Sequence, residues 1–148
     1  MVFRTAYRIT GNAADAEDVL QNIFLRLVRR DPATAPVSNE ESYLRRAAVN
    51  AALDLIREKQ ADRTLPLDEA SATGSGSQTG ELRDCLRQAF TRLSPQAAEM
   101  FALRYFEDFT NRQIAQMLNI SQVRVAVTLH RTRRQLQTEI LSYFGGKL

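Results

Sequence analysis

A basic stretch without acids stands out in the sequence, and its chemistry suits phosphate binding. No Asp or Glu occurs from Phe109 to Thr138. The same stretch contains six side chains that carry or can gain a positive charge: Arg112, Arg124, His130, Arg131, Arg133 and Arg134. Unopposed basic residues on a helical segment are the electrostatic footprint of a nucleic-acid-binding surface. A solvated arginine face on an ordinary surface helix is the simpler alternative.

Local signals divide this stretch into two helices joined by a tight turn. Thr110 and Gln113 have the spacing of a capping box at the start of the first helix. Asn119 suits the left-handed position that ends that helix, and Ser121 suits the cap of the second. Apolar residues at helical spacing predict the buried faces: Ile114, Ala115, Leu118, Val125 and Leu129. The pattern predicts a helix-turn-helix, whose second helix enters the major groove.

An acidic cluster opens a second predicted helix, over residues 13–30. Asp15, Glu17 and Asp18 lie in its first turns, and Arg26, Arg29 and Arg30 lie near its end. Acids at the start and bases at the end complement the helix dipole, which is a sufficient structural reason for them. The apolar positions of this helix are Ala16, Val19, Leu20, Ile23, Phe24, Leu27 and Val28.

A polar stripe runs along a third predicted helix, over residues 39–59. Its members are Arg46, Asn50, Asp54 and Arg57, and the expected buried positions are Tyr43, Leu44, Ala47, Ala48, Ala51 and Leu55. An amide flanked by arginines can contact a DNA backbone or a base edge. The alternative is an internal ladder in which Asp54 pairs with Arg57, and for Asp54 we favour this alternative.

Composition excludes several classes of site. The 148 residues carry a net charge of +3, one Cys and one His, so neither a disulfide within the chain nor a His-rich metal site is possible. We interpret Cys85 as a thiol in the core. No nucleophile–base pair or phosphate-cradling glycine loop is evident, and no apolar run approaches the length of a membrane helix. We therefore expect a soluble, cytoplasmic protein that is not an enzyme and needs no cofactor.

The periodicity predicts an all-α protein with two small helical domains. Residues 1–60 form the first and residues 81–148 the second, while residues 61–80, rich in Gly and Ser, have the composition of a flexible linker. Residues 2–10 should form a helix with Val2, Phe3, Ala6 and Ile9 on one side. In the second domain we expect helix 81–93, a helix from Pro95 capped by Ser94, and a bulky core from Met100, Phe101, Leu103, Tyr105, Phe106 and Phe109.

These motifs, in this order, resemble bacterial RNA polymerase sigma factors of the extracytoplasmic-function group. The first part of the resemblance lies in residues 7–12, 15–21 and 43–50, with Phe24, Asp54 and Arg57. The second part lies in residues 93–95, 104–106, 114–121 and 129–131, with Val125. Each motif alone has low specificity, whereas the ordered pair is fairly specific and covers roughly residues 3–60 and 81–140.

The resemblance implies core RNA polymerase and promoter DNA as partners, an anti-sigma factor as a further candidate, and no small-molecule substrate. The polymerase-docking residues would be Asp15, Glu17, Asp18, Gln21 and Phe24. Those that capture the melted downstream promoter element would be Arg45, Arg46, Asn50 and Arg57. Those that read the upstream element would be Arg112, Ser121, Gln122, Arg124, Thr128, His130, Arg131 and Arg134.

The chain departs from the family pattern in three places. The family usually has at least one more helical turn before the position of Phe3, so this sequence starts later than the family pattern. Ala126 and Thr128 stand where the family usually carries Lys and Arg, and the basic run after the Asp54–Arg57 helix is diluted. Two alternatives therefore stay open: a helix-turn-helix regulator that acts without polymerase, and a sigma-like protein that acts only by protein contact.

Overall fold

The described part of the chain consists of helices joined by short turns. A computed structural model describes residues 1–30, 39–63 and 78–145. Those residues form α1 (Val2–Thr10), α2 (Ala13–Arg29), α3 (Glu40–Arg63), α4 (Gln78–Arg92), α5 (Pro95–Tyr105), α6 (Asn111–Leu118) and α7 (Gln122–Gly145). No strand occurs within these ranges, which confirms the all-α prediction.

The junction of α1 and α2 follows from its sequence. Gly11 ends α1 with a φ of 67°, in the left-handed region that glycine enters without strain. The Asn12 side chain then accepts hydrogen bonds from the backbone amides of Ala14 and Asp15 and caps α2. Both caps agree with the residue types at these positions. On α1, Ala6 and Ile9 are buried as expected, but Phe3 is exposed and Thr5 is buried instead, so the predicted apolar side was partly wrong.

Helix α3 is the central element, because helices pack on two of its sides. It contacts α1 and α2 on one side and α4 and α5 on the other. Its buried residues are therefore spread around the helix and are mostly small: Ala48, Val49, Ala51, Ala52 and Leu53. The prediction of a single buried face was correct for Ala48 and Ala51. It was wrong for Tyr43, which is exposed, and it missed Val49, Ala52 and Leu53.

Helices α4 to α7 enclose the second part of the core. Ser94 caps α5 through the amide of Ala97, and Pro95 occupies the first turn, where it leaves no helical hydrogen bond unmade. Met100 and Leu103 are fully buried, and Phe90 packs its ring against those of Phe101 and Phe106. Tyr105 lies at the surface, so its predicted place in this core was wrong.

Three predicted features fall wholly or partly outside the described residues. Two of them are the loop that Pro32 and Pro36 predict over residues 31–39 and the capping box that the spacing of Ser38 and Glu41 predicts at the start of the next helix. Within the described range, the Asn39 side chain accepts from the amide of Ser42 at the start of α3. The third is the linker at 61–80, because residues 64–77 lie outside, and the domain division at that point stays a prediction. None of the described helices is long and apolar enough to cross a membrane.

Candidate nucleic-acid and polymerase interface

Helices α6 and α7 form the predicted helix-turn-helix, and short-range contacts set its geometry. The Thr110 hydroxyl accepts from the Gln113 amide at 3.1 Å, and the Gln113 side chain accepts from the Thr110 amide at 2.9 Å. Asn119 ends α6 with a φ of 56°. The Ser121 hydroxyl accepts from the Arg124 amide. The capping box, the left-handed turn and the second cap are all confirmed.

The inner side of this motif is apolar and fully packed. Ile114, Val125 and Leu129 have at most 1% of their surface exposed, and Leu136 continues their row two turns further along α7. The Thr132 hydroxyl, buried on the same side, is satisfied by donating to the Thr128 carbonyl at 2.7 Å. Because this row is anchored, the opposite side of α7 is held facing outward.

The outer side of α7 carries most of the predicted upstream-element residues. Those at the surface are Arg112 of α6 together with Ser121, Gln122, Arg124, His130, Arg131 and Arg134. Thr128 is only half-buried, and the Arg124 guanidinium donates to the Gln96 side chain at 3.3 Å. Arg133 points elsewhere, since it donates to the Tyr105 hydroxyl.

Two further residues on this outer side were not predicted from the sequence. Val123 is 72% exposed and Val127 is 42% exposed. At 100° per residue they fall on the side of α7 opposite Val125, one on each side of Arg134. Apolar side chains that face solvent on a recognition helix can contact the methyl group of thymine. The available signal was their offset by two residues from the buried row.

Helix α2 presents an exposed face that mixes apolar and polar side chains. Phe24 and Val28 are each 65% exposed, and Leu20 is 40% exposed beside them. Glu17 and Gln21 are also at the surface and lie on the same side by helical periodicity. Asp18 is exposed at its flank. Four of the five predicted docking residues are therefore accessible.

Asp15, the fifth predicted docking residue, lies on the inner side of α2. Its carboxylate is largely buried and accepts from the Lys59 amino group at 2.6 and 2.5 Å. This ion pair joins the start of α2 to the last turns of α3. The structure thus separates Asp15 from Glu17, Asp18, Gln21 and Phe24.

The polar stripe of α3 divides into two parts. Arg57 donates to Asp54 at 3.3 Å, which confirms the predicted ladder at that end. At the other end, Arg46 donates to both oxygens of Glu99 at 3.1 Å, and Asn50 donates to the same carboxylate at 2.5 Å. Arg46 and Asn50 therefore contact α5 in the other half of the chain.

Arg45 makes a similar contact with the loop that follows α5. It donates to Glu107 at 2.7 Å and to Glu41 at 3.1 Å, and its guanidinium lies over the Phe109 ring. Arg8 of α1 also reaches Glu107, at 3.3 Å. No role for Glu99 or Glu107 was predicted from the sequence. The signal for Glu99 was its place as the only acid of α5, between Ala98 and Met100, both fully buried.

A groove of about 800 Å³ opens beside these contacts, between the first turns of α3 and α6. Residues from three helices line it, including Arg26, Tyr43, Arg46, Asn50, Gln113 and Gln116. Its lining mixes polar and apolar side chains and carries three arginines against one acid, Glu41, which suits an anionic ligand with an apolar part. Among the described residues, no cluster of three or more His, Cys, Asp or Glu could hold a metal ion.

Comparison with known proteins agrees with this geometry. The family model "Sigma-70 region 2" matches residues 1–62, and the model "Sigma-70, region 4" matches residues 83–136. The first match contains α1, α2 and nearly all of α3, and the second contains the helix-turn-helix.

Relatives match nearly the whole chain. The RNA polymerase sigma-E factor of Streptomyces avermitilis is 29% identical over 143 residues, covering 95% of this chain and 79% of that protein. The ECF RNA polymerase sigma factor SigW of Bacillus subtilis is 24% identical over 154 residues, covering 94% and 82%.

A solved structure shares the fold. It is the sigma factor RpoE from Bartonella quintana in complex with the anti-sigma factor NepR, and it superposes with a TM-score of 0.55 at 17% identity. The superposition covers 94% of this chain and 89% of that one. The helix-turn-helix and the exposed α2 face agree with these similarities. The two region matches and the relatives show that the chain belongs to the sigma-70 family of bacterial RNA polymerase sigma factors, in the extracytoplasmic-function group.

Proposed function

We propose that this chain is a transcription initiation factor that binds core RNA polymerase and directs it to specific promoters. The observation that carries the proposal is the presence, in family order, of two surfaces on one chain. The first is the exposed face of α2, and the second is the acid-free outer side of α7. Neither surface is needed to fold the chain, because each lies opposite a buried row of the same helix.

The α2 face is the proposed polymerase-docking surface. Phe24 and Val28 expose a large apolar area that a monomer has no reason to leave in water. Glu17, Asp18 and Gln21 border it with acids and an amide, which suits a partner surface that is apolar and basic. Interfaces of this composition place most of their binding energy in one or two apolar anchors. We assign the anchor role to Phe24.

The first turns of α3 are the proposed capture site for melted promoter DNA. Arg45, Arg46 and Asn50 lie within two helical turns, and the groove beside them also carries Arg26 and Tyr43. Arginine binds phosphate through paired hydrogen bonds, an amide reads a base edge, and an aromatic ring stacks on an unpaired base. Arg57 lies further along α3, where it pairs with Asp54.

The outer side of α7 is the proposed reader of the upstream element. Arg131 and Arg134 lie one turn apart for contact with phosphates or guanine. Val123 and Val127 supply an apolar strip for thymine methyl groups, and Gln122 lies at the helix N-terminus that enters the groove. Arg112 approaches the backbone from α6, with Arg124, Thr128 and His130 as further contacts.

The proposal assigns no catalytic role to any residue, since RNA synthesis belongs to the polymerase. It places the chain in the cytoplasm with its partner. An anti-sigma factor is a further proposed partner, because the structural relative from Bartonella quintana was solved with one.

The direct test is complex formation between the purified chain and purified core RNA polymerase, followed by size-exclusion chromatography. We expect stoichiometric comigration, and we expect the complex to retain promoter DNA that the core enzyme alone releases. Absence of comigration at micromolar concentrations would reject the proposal.

A second candidate is a sigma-like protein that acts only by protein contact. Two observations favour it. Ala126 and Thr128 stand at positions of the recognition helix that are usually basic. In addition, Arg46 and Asn50 already donate hydrogen bonds to Glu99. It predicts polymerase binding without promoter retention, and replacing Ala126 with Lys and Thr128 with Arg should leave DNA binding unchanged.

A further inference from the structure

We infer that the described conformation is a closed state, in which Glu99 and Glu107 of α5 and its following loop hold the arginines and the asparagine that would capture promoter DNA. The role of those α3 side chains rests on the proposed function. The closure itself rests on the contacts alone.

Glu99 makes the main contact. Its side chain is 6% exposed, and the carboxylate accepts three hydrogen bonds, two from Arg46 and one from Asn50. A carboxylate held by a bidentate arginine satisfies the same donors that a phosphate would. The Asn50 amide is occupied in the same way, so it cannot donate to a base while it donates to Glu99. Binding of DNA and binding of Glu99 at this site are mutually exclusive.

Glu107 makes a second contact of the same kind, and its polar atoms are incompletely satisfied. Its side chain is fully buried, and its Oε2 accepts from Arg45 at 2.7 Å and from Arg8 at 3.3 Å. Its Oε1 and the Nε of Arg45 have no hydrogen-bond partner among the described residues. A partly satisfied buried network is less favourable than one that is fully satisfied or solvated. The closed state is therefore one that a competing ligand can open.

Arg87 of α4 closes a third contact, at the end of α1. Its guanidinium donates to the Thr10 carbonyl at 2.7 Å, where the C-terminus of a helix attracts a cation. The same group lies only 2.9 Å from the position that a Cβ on Gly11 would take. Leu53 and Phe90, with Phe106, line the apolar seam beside it. The two halves thus meet along α3 through both charged and apolar contacts.

Closure leaves the docking surface accessible. Phe24 and Gln21 remain exposed on α2 in this conformation. A closed chain can therefore dock on polymerase but cannot capture single-stranded DNA through Arg46 and Asn50. Release of Glu99 must precede or accompany capture, which keeps the free factor from binding single strands unproductively.

Glu99→Lys tests the inference in the full chain without polymerase, because it places a cation against Arg46. Glu139→Lys is the matched control. It makes the same charge change, and Glu139 pairs with Arg92 inside the second half. The readouts are the radius of gyration from X-ray scattering and the affinity for a labelled random pool of single-stranded DNA. A closed body of 148 residues should have a radius of gyration of about 15 Å.

We expect Glu99→Lys to enlarge the radius of gyration. It should also tighten single-strand binding about tenfold relative to Glu139→Lys, because a larger fraction of the molecules would be open and able to bind DNA. Adding Arg46→Ala should cancel that gain. An unchanged radius overturns closure, and an enlarged radius with no gain over Glu139→Lys overturns masking. Glu99→Gln, which keeps the shape and removes the charge, gives the same test if the Lys variant fails to fold by circular dichroism. Because polymerase is absent, these results are independent of whether the chain initiates transcription.

Discussion

The amino group of Lys59 donates to both carboxylate oxygens of Asp15, at 2.6 and 2.5 Å, although 44 residues separate the two in sequence. The pair lies between the start of α2 and the last turns of α3, and the carboxylate is largely buried. Asp15 therefore positions α2, while Glu17, Gln21 and Phe24 face outward. The acidic cluster that looks continuous in the sequence divides into one structural acid and two exposed acids, Glu17 and Asp18, of the proposed docking surface.

Phe24→Ala should weaken binding to core RNA polymerase about 30-fold or more, the loss typical of an apolar hot spot. The side chain is 65% exposed and supports no part of the core, so the free energy of unfolding should stay within about 0.5 kcal/mol of wild type. Binding is measured by fluorescence anisotropy of the labelled chain titrated with core enzyme.

Leu25→Ala is the matched control for Phe24→Ala. Leu25 is 50% exposed on the same helix but lies about 100° around it, towards the flank. Its affinity for polymerase should change less than threefold. Equal losses for the two variants would contradict the assignment of Phe24 as the anchor of the docking surface.

Arg134→Ala should lower the affinity for duplex promoter DNA and reduce the slope of log K against log salt by about 1, as expected for the loss of one phosphate contact. Arg133→Ala removes the same charge one residue earlier. Arg133 donates a hydrogen bond to the Tyr105 hydroxyl instead, so the slope of log K against log salt for Arg133→Ala should equal that of wild type. The measurement is a salt titration of DNA binding by the polymerase complex, and identical slopes for the two variants would contradict the assigned face.

Asn119→Ala should destabilise the chain by about 1 kcal/mol, because Asn119 has a φ of 56° and alanine enters that region at a cost. Asn119→Gly should be neutral or stabilising, since glycine adopts the same conformation freely. Urea denaturation followed by circular dichroism distinguishes the two. A glycine variant less stable than the alanine variant would be inconsistent with a left-handed turn at this position.

Cys85 provides a pH-dependent prediction. Burial raises the pKa of its thiol above the ordinary value of 9.0, and the nearby Glu139 carboxylate adds to the increase. The folded state therefore disfavours the thiolate. The protonated thiol therefore contributes fully to the stability of the fold below pH 9.0, and this contribution is lost as the pH rises through the higher pKa that Cys85 has in the folded state.

The thiol of the folded chain should accordingly react slowly with a thiol reagent at pH 8, and at the rate of a free cysteine once urea unfolds the chain. Fast labelling of the folded chain would contradict burial of Cys85. Cys85→Ala should remove the loss of stability at high pH, which is measured as the urea midpoint between neutral and alkaline pH.

The parts of the fold that sequence predicted well depend on near neighbours. The capping box of Thr110 and Gln113, the turn at Asn119 and the cap by Ser121 each involve residues within four positions of one another. Their geometry is decided by side-chain chemistry and helix periodicity alone. For the same reason, the buried row of Val125 and Leu129 could be predicted.

The parts that sequence did not predict depend on which helices meet. Tyr43 and Phe3 have the spacing of core residues but lie at the surface, because none of the described helices covers them. Helix α3 buries residues on two sides because α4 and α5 pack against it, and this packing is set by contacts more than 40 residues apart in sequence. The partners of Arg46 and Asn50 were missed for the same reason, since nothing near them in sequence indicates Glu99.

The most direct test of the central claim is run-off transcription from a genomic template library with purified core RNA polymerase and the full chain. We expect discrete promoter-dependent transcripts that share an upstream sequence motif, that are absent with core enzyme alone, and that are strongly reduced with Phe24→Ala at a subsaturating concentration of the chain. A chain that binds core enzyme and yields no promoter-dependent transcript on any template would contradict the claim that it directs initiation.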